Sequence, residues 1–317
     1  MAFSFVLKIV NSCLLSTLFC GSAFAQSSSM PWYDLPWLGT PKKTTPVIAS
    51  EREISIMGDG MLGNYKEFPR HNPYARYQPH DRELGWTPGL TVKGSIIFDF
   101  YQLHDLYVSG QGNFDIGHVS YHGAWSDRLG YGGASNTQTN QQKAYGQGEL
   151  GKAWRLTHNL LLITAFQGGY GYWYRSINSG RSSVYGYPGI SVHVHGYDER
   201  YQYDWVGGAV HLDYAITPRF VAKLNGFVGS TFGAHMDAGN AERQFHLGSR
   251  FRYEIGAMLD YRLTQRWHLL ANIDYQDVKF GSSSPVRARG GRHAGYLYEP
   301  SSMTQQLHIG LGAGISF

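Results

Sequence analysis

Leu307-His308-Ile309-Gly310-Leu311-Gly312-Ala313-Gly314-Ile315-Ser316-Phe317 closes the chain in strict alternation. Odd positions are apolar, and even positions are histidine, glycine or serine. Side chains alternate between the faces of a strand, so this period of two makes one apolar face and one small polar face. The pattern recurs upstream with sharper contrast. Phe251, Tyr253, Ile255, Ala257, Leu259, Tyr261 and Leu263 interleave with Arg250, Arg252, Glu254, Gly256, Met258, Asp260 and Arg262. The apolar face is unbroken and carries aromatics near both ends, as a strand crossing hydrocarbon between two interfaces would. A charge facing lipid costs about 2–4 kcal/mol near the midplane, so the charged face is expected to line the lumen of a closed barrel.

The other end of the chain agrees. Lys8 precedes an apolar stretch from Ile9 to Phe19, interrupted at Asn11 and Ser12, and Ala23-Phe24-Ala25 follows. This is the form of a signal peptide cleaved after residue 25. Cys13 and Cys20 both fall in the segment to be removed, and Phe19 is too bulky for a lipoprotein site at Cys20. The mature chain would then hold no disulfide and no thiolate metal site. No later segment has the roughly twenty apolar residues of a membrane helix. Residues 26–45, with Trp32, Pro36, Trp37, Lys42 and Lys43, read as a periplasmic extension or partial plug, and 46–317 as the barrel.

Composition fits the same class. Tyr 23, Phe 16 and Trp 8 supply interfacial girdles, and Gly 40 permits the twist and close approach of a closed sheet. Mean hydropathy is slightly negative, as expected when only alternate residues meet lipid. Removing Lys8 lowers the formal charge of +4 by one, which gives no general case for nucleic acid as a partner.

Strands 251–263 and 267–280 are separated by a tight turn, with His268, Asn272, Asp274 and Gln276 on the inward face of the second. Similar hairpins join 201–214 to 220–230, 144–154 to 160–174, and 90–98 to 106–120. Residues 121–143, 176–199, 232–248 and 281–300 are rich in Gly, Ser, Asn and His and read as outer loops. An even strand number requires one more strand before residue 90. Residues 46–57 are the candidate, with 58–85 as the first outer loop. The expected architecture is all-β: an up-and-down antiparallel transmembrane barrel of about ten strands, with short periplasmic turns and long extracellular loops.

A terminal Phe317 behind alternating hydrophobics resembles the assembly signal of bacterial outer-membrane barrels. That resemblance implies the cell outer membrane of a Gram-negative bacterium, with barrel assembly machinery as a partner during insertion. The hairpin spacing resembles the omptin family of outer-membrane proteases. Asn136-Thr137-Gln138 ahead of Lys152-Ala153-Trp154, and Tyr214-Ala215-Ile216-Thr217-Pro218, fall at comparable places. Omptins set a pair of aspartates opposite a His–Asp dyad to activate a water. Here the acidic pair is missing. Asp127 is the only carboxylate between Ser120 and Lys143, and His235-Met236-Asp237 offers a dyad in reversed order. Asp127, His235 and Asp237 are the catalytic candidates this resemblance implies.

The remaining candidates come from the residues themselves. Lys93, Asp99, Asp115, Glu149, Asp213, Lys223, Arg250, Arg252, Glu254, Asp260, Arg262 and Asp274 are expected in the lumen, as a salt-bridged filling or a narrow path for small solutes. His193-Val194-His195 has the spacing to turn two rings one way, and His118 and His122 straddle a strand end. No third ligand is set by spacing, so no metal site and no cofactor are expected. Arg287, Arg289 and Arg292 stand near His293 without acids, and arginine pairs with phosphate in two-pronged fashion. Outer-membrane lipid, lipopolysaccharide above all, is therefore the expected contact, while oligomeric state is open. The expected role is non-enzymatic, exerted through the outer loops on lipopolysaccharide or an external ligand. A narrow channel and a divergent omptin-like protease are the alternatives.

Overall fold

The computed structural model describes residues 45–68, 80–126, 132–239, 241, 243–289 and 295–317. The strands in chain order are β1 Glu53–Phe68, β2 His80–Phe100, β3 Leu103–Ser126, β4 Gly132–Arg155 and β5 Leu160–Ile177. They continue with β6 Gly180–Val184, β7 Ser191–Val194, β8 Tyr197–Thr217, β9 Phe220–Ala238 and β10 Phe245–His246. β11 Phe251–Arg262, β12 Trp267–Phe280, β13 Val286–Arg287, β14 Tyr296–Leu297 and β15 Ser301–Ser316 complete the set. Ten of these, β1–β5, β8, β9, β11, β12 and β15, close into an antiparallel barrel. The terminal strand seals it: Ile309 pairs with Gly60 of β1 on one side and Ile273 of β12 on the other. Each of these ten strands pairs on both sides, so the barrel has no free edge to satisfy in lipid.

The outward faces carry a band of exposed apolar side chains. On β2 these are Leu84, Trp86, Leu90 and Val92, and on β11 Phe251, Ile255, Leu259 and Tyr261. The band ends toward the outside where outward positions turn polar, at Asn64 after Leu62, His118 after Ile116, Asp204 beyond Val206, and Gln305 before Leu307. A tilted strand crosses hydrocarbon in about 9–11 residues. β3 and β4 each run 24 residues, so their outer halves stand beyond the membrane as a continuation of the wall. Much of the expected loop 121–143 is therefore strand. Residues 58–85, read as a loop, are also largely strand, belonging to β1 and β2. The segment 176–199 holds the β6–β7 hairpin, which leans on the end of β4.

The expected first strand at 46–57 is corrected at its start. Pro46–Ala49 is a single helical turn, α1, and β1 begins at Glu53. Proline at the first turn lacks only an N–H that would be unbonded there. α1 turns Val47 and Ile48 into the barrel, where they pack with Ile97, Tyr107, Ala153, Leu161, Ile163, Ala215 and Val221. A second apolar cluster closes the outer half, with Tyr65, Trp173, Tyr201, Met236, Phe245, Leu247, Val278 and Phe280. Polar and charged residues occupy the lumen between these two plugs.

Candidate functional site

The outer half of the barrel is built around Arg175. It lies on the inward face of β5 and is fully buried. Its guanidinium bonds Glu83 of β2 at 2.9 Å and Glu199 of β8 at 2.6 Å, and stacks 4.2 Å over the Tyr65 ring. Trp173 stacks on Tyr201 at 5.0 Å and meets Tyr65 edge-on at 5.2 Å, so three strands are locked at one level. Two-pronged pairing is what the planar guanidinium does best. Above this layer a cavity of about 350 Å³ opens to the outside. Glu67, Asp81, Glu199 and Glu299 line it beside Tyr121 and Tyr197.

Carboxylates in this cup outnumber cations. Glu67 accepts from the Tyr65 hydroxyl at 2.9 Å, Glu299 from Tyr201 at 2.7 Å, and Asp81 from Tyr197 at 3.4 Å. Tyrosine hydroxyls satisfy oxygens without cancelling charge. These groups lie outside the apolar band, and their acidities record their burial first and one another's charge second. Burial and the neighbouring Glu199 push the Glu299 carboxyl up to about 8. Burial also raises Glu199, to about 6, although Arg175 pulls the other way. Burial and Asp81 lift Glu67 well above the ordinary carboxylate range, and burial raises Asp81. Burial works against the Arg175 charge, but Glu83 and Glu199 outweigh it and hold the guanidinium ionised. The cup is short of positive charge.

The expected lumen residues divide. Asp115, Glu149, Asp213, Lys223, Arg252 and Asp260 are buried on inward faces, and Lys93, Glu254 and Asp274 line a small central cavity. Lys223 reaches Glu51 at 2.7 Å, Arg252 pairs with Glu254 and lies 3.8 Å over the Trp205 ring, and Glu149 meets His211 at 3.0 Å. Three of the expected residues are placed elsewhere. Asp99 is at the β2–β3 turn, accepting the Asp105 N–H at 2.7 Å with its side chain 47% exposed. Arg250 is exposed ahead of β11, bonded to its neighbour Ser249. Arg262 ends β11 and donates to the Gln265 carbonyl across the inner turn at 3.1 Å. Alternation assigns a face but not the height at which a strand ends, and these three sit at strand ends.

Of the three catalytic candidates, two lie among the described residues. His235 and Asp237 point away from the lumen, because Ala234 and Met236 fill the inward positions of β9. His235 contacts the Gly233 carbonyl at 3.0 Å, and Asp237 accepts from Gln244 at 3.2 Å. Asp127 lies outside the described residues. The His193 and His195 rings pack edge to face at 4.9 Å, while His118 and His122 bond Asn140 and Asn136. Arg287 and Arg289 are exposed, the latter in a recess with Asp198, Arg200, Asp237 and Arg243. Arg292 lies outside the described residues. At the chain end, the Phe317 N–H donates to the Arg52 carbonyl at 3.1 Å. The alternation that marks the strands does not single out Glu67, Asp81, Glu83, Arg175, Glu199 or Glu299. Glu83 and Glu199 share inward parity with their neighbours, but they lie beyond or at the edge of the apolar runs that marked the strands.

No protein-family model and no curated protein matches this sequence. Among solved structures, the outer membrane protease OmpT from Escherichia coli aligns with a TM-score of 0.59 at 9% identity, covering 84% of this chain and 98% of that one. OprG of Pseudomonas aeruginosa aligns at 0.32 and 9% identity over 84% and 95% of the two chains. The Pseudomonas putida toluene transporter TodX aligns at 0.31 and 11% identity over 84% and 90%. The chain is an all-β protein of the closed ten-stranded antiparallel barrel class. Within that class it shares its fold with OmpT, and at this identity the likeness extends to the fold alone.

Proposed function

We propose that this protein is a surface-exposed, non-enzymatic binding barrel of the Gram-negative outer membrane, whose outer cup takes an organic cation. The observation that carries this reading is a buried, outward-opening cup with Glu67, Asp81, Glu199 and Glu299 on its wall. An ammonium or guanidinium head would offset the burial and, after it, the neighbouring carboxylates that raise these carboxyls, and the tyrosine rings would take its apolar stem. A bare metal ion fits less well. Among the described residues, the carboxylate and imidazole groups close enough to share an ion lie deeper, in the barrel interior. Two apolar plugs above and below the central cavity favour binding over conduction. Arg287 and Arg289 would add a contact to lipopolysaccharide phosphate on the outer wall.

Agmatine, which carries a guanidinium and an amine, is the probe, with succinate as the opposite-charge control. Calorimetry on the mature protein in detergent should show agmatine binding that Asp81→Asn and Glu299→Gln each weaken about tenfold, the size of one lost charge-assisted hydrogen bond. A folded barrel indifferent to agmatine would sink the proposal. So would steady single-channel conductance in a planar bilayer, which would restore the channel reading.

A further inference from the structure

Two groups of three ligating side chains meet inside the barrel, Glu53 with Asp260 and His268, and Asp59 with Asp115 and His308. In each, the ligand atoms lie within 4.8 Å of one another. The first group is already neutralised. Lys223 stands 3.7 Å from Glu53 and 3.9 Å from Asp260, while His268 bonds Asp260 at 2.8 Å and Ser316 on its other nitrogen. The second group differs. Among the described residues the only ion-pair contact made by Asp59 or Asp115 is with His308, at 3.8 Å from Asp59. Asp59 Oδ1, Asp115 Oδ1 and His308 Nε2 are buried atoms without a hydrogen-bond partner. Leaving such atoms unpaired is costly unless something occupies the space between them.

We propose that Asp59, Asp115 and His308 bind one divalent transition-metal ion within the barrel. The strand register builds the site. Gly89 of β2 pairs with Asp59 of β1 on one side and Asp115 of β3 on the other. With glycine between them the two carboxylates lean across the middle strand, and a Cβ at Gly89 would collide with Oδ1 of both. His308 of β15 pairs with Met61, two residues along β1 from Asp59 on the same face, and completes the triangle. Outer contacts orient the first ligand. Thr91 and Asn113 donate to Asp59 Oδ2 at 2.7 and 3.2 Å, leaving Oδ1 for the ion. Two oxygens and an imidazole nitrogen suit zinc, cobalt or manganese better than calcium or magnesium, which prefer oxygen alone. Asp59 and His308 also line the central cavity of about 60 Å³. Waters there would fill the coordination positions that three protein ligands leave open.

Cobalt(II) is the probe because its visible absorption reports coordination directly. The mature protein, folded in detergent with Co²⁺ and passed through gel filtration, should retain one equivalent with ligand-field bands that Zn²⁺ abolishes. Asp115→Asn and His308→Gln should each lower retention at least about tenfold. Gly89→Ala keeps all three ligands but fills the space between them, and it should lose the ion too. If the ligand variants fail to fold, as judged by heat-modifiable gel mobility, Gly89→Ala decides alone. A folded wild type without stoichiometric cobalt would overturn the site. Retention by Gly89→Ala, or by both ligand variants, would do so equally.

Discussion

Arg175 is one charge holding two buried carboxylates and two aromatic rings at the level where the barrel leaves the membrane. Removing one partner of a buried pair leaves the others uncompensated, at a cost of about 3–5 kcal/mol. Arg175→Met is therefore expected to lower the unfolding free energy from urea titration by that order, with the loss greatest in probes of the outer half. Glu199 and Glu299 make the pH dependence specific. Their folded acidities are raised to about 6 and about 8, so the folded form favours the neutral carboxyls. These two groups cost nothing below the unfolded carboxylate range, and the stability of their neutral forms is lost as pH rises through 6 and then 8. The outer half should loosen between mildly acidic and mildly alkaline pH, read as faster amide exchange in β8. Glu199→Gln with Glu299→Gln should flatten that dependence, and bound agmatine should counter it. None of this was legible as a motif, because Glu83, Arg175, Glu199 and Glu299 come from three strands and a loop far apart in sequence.

At the scale of the element, α1 shows why a locally correct pattern can mislead. Ile48, Ile54 and Ile56 read as one strand, yet Pro46–Ala49 is a helical turn whose Val47 and Ile48 point inward while Ile54 and Ile56 point to lipid. The inner plug also explains why Leu161 and Ile163 stand in an unbroken apolar run, 160–163. Both face the lumen, where α1 gives them apolar partners. Ile48→Ala should cost about 2–5 kcal/mol, as buried isoleucine truncations do. Ile48→Asp would set a charge in the same cluster. Both should lower the thermal midpoint by circular dichroism, the aspartate variant more. A barrel closed by residues 26–45 instead of α1 would tolerate either change.

Over the whole molecule, lipid outside and a filled lumen inside give each strand two opposed solvents. Cysteines at Leu259 and Asp260 test this directly. The first, 45% exposed on the outer wall, should react with a lipid-phase maleimide, and the second, fully buried inward, should not. Equal labelling would refute the face assignment. The barrel was legible in the residues alone, in its alternation and its ten-strand count, because period two is a local property that lipid enforces at every residue. The filling of the barrel and the chemistry of its outer end emerge only when the strands are assembled. Strand register sets Asp59 and Asp115 around Gly89, and it brings Arg175 between Glu83 and Glu199. Register across closed, twisted strands comes from the assembly of all ten, and no single segment carries it.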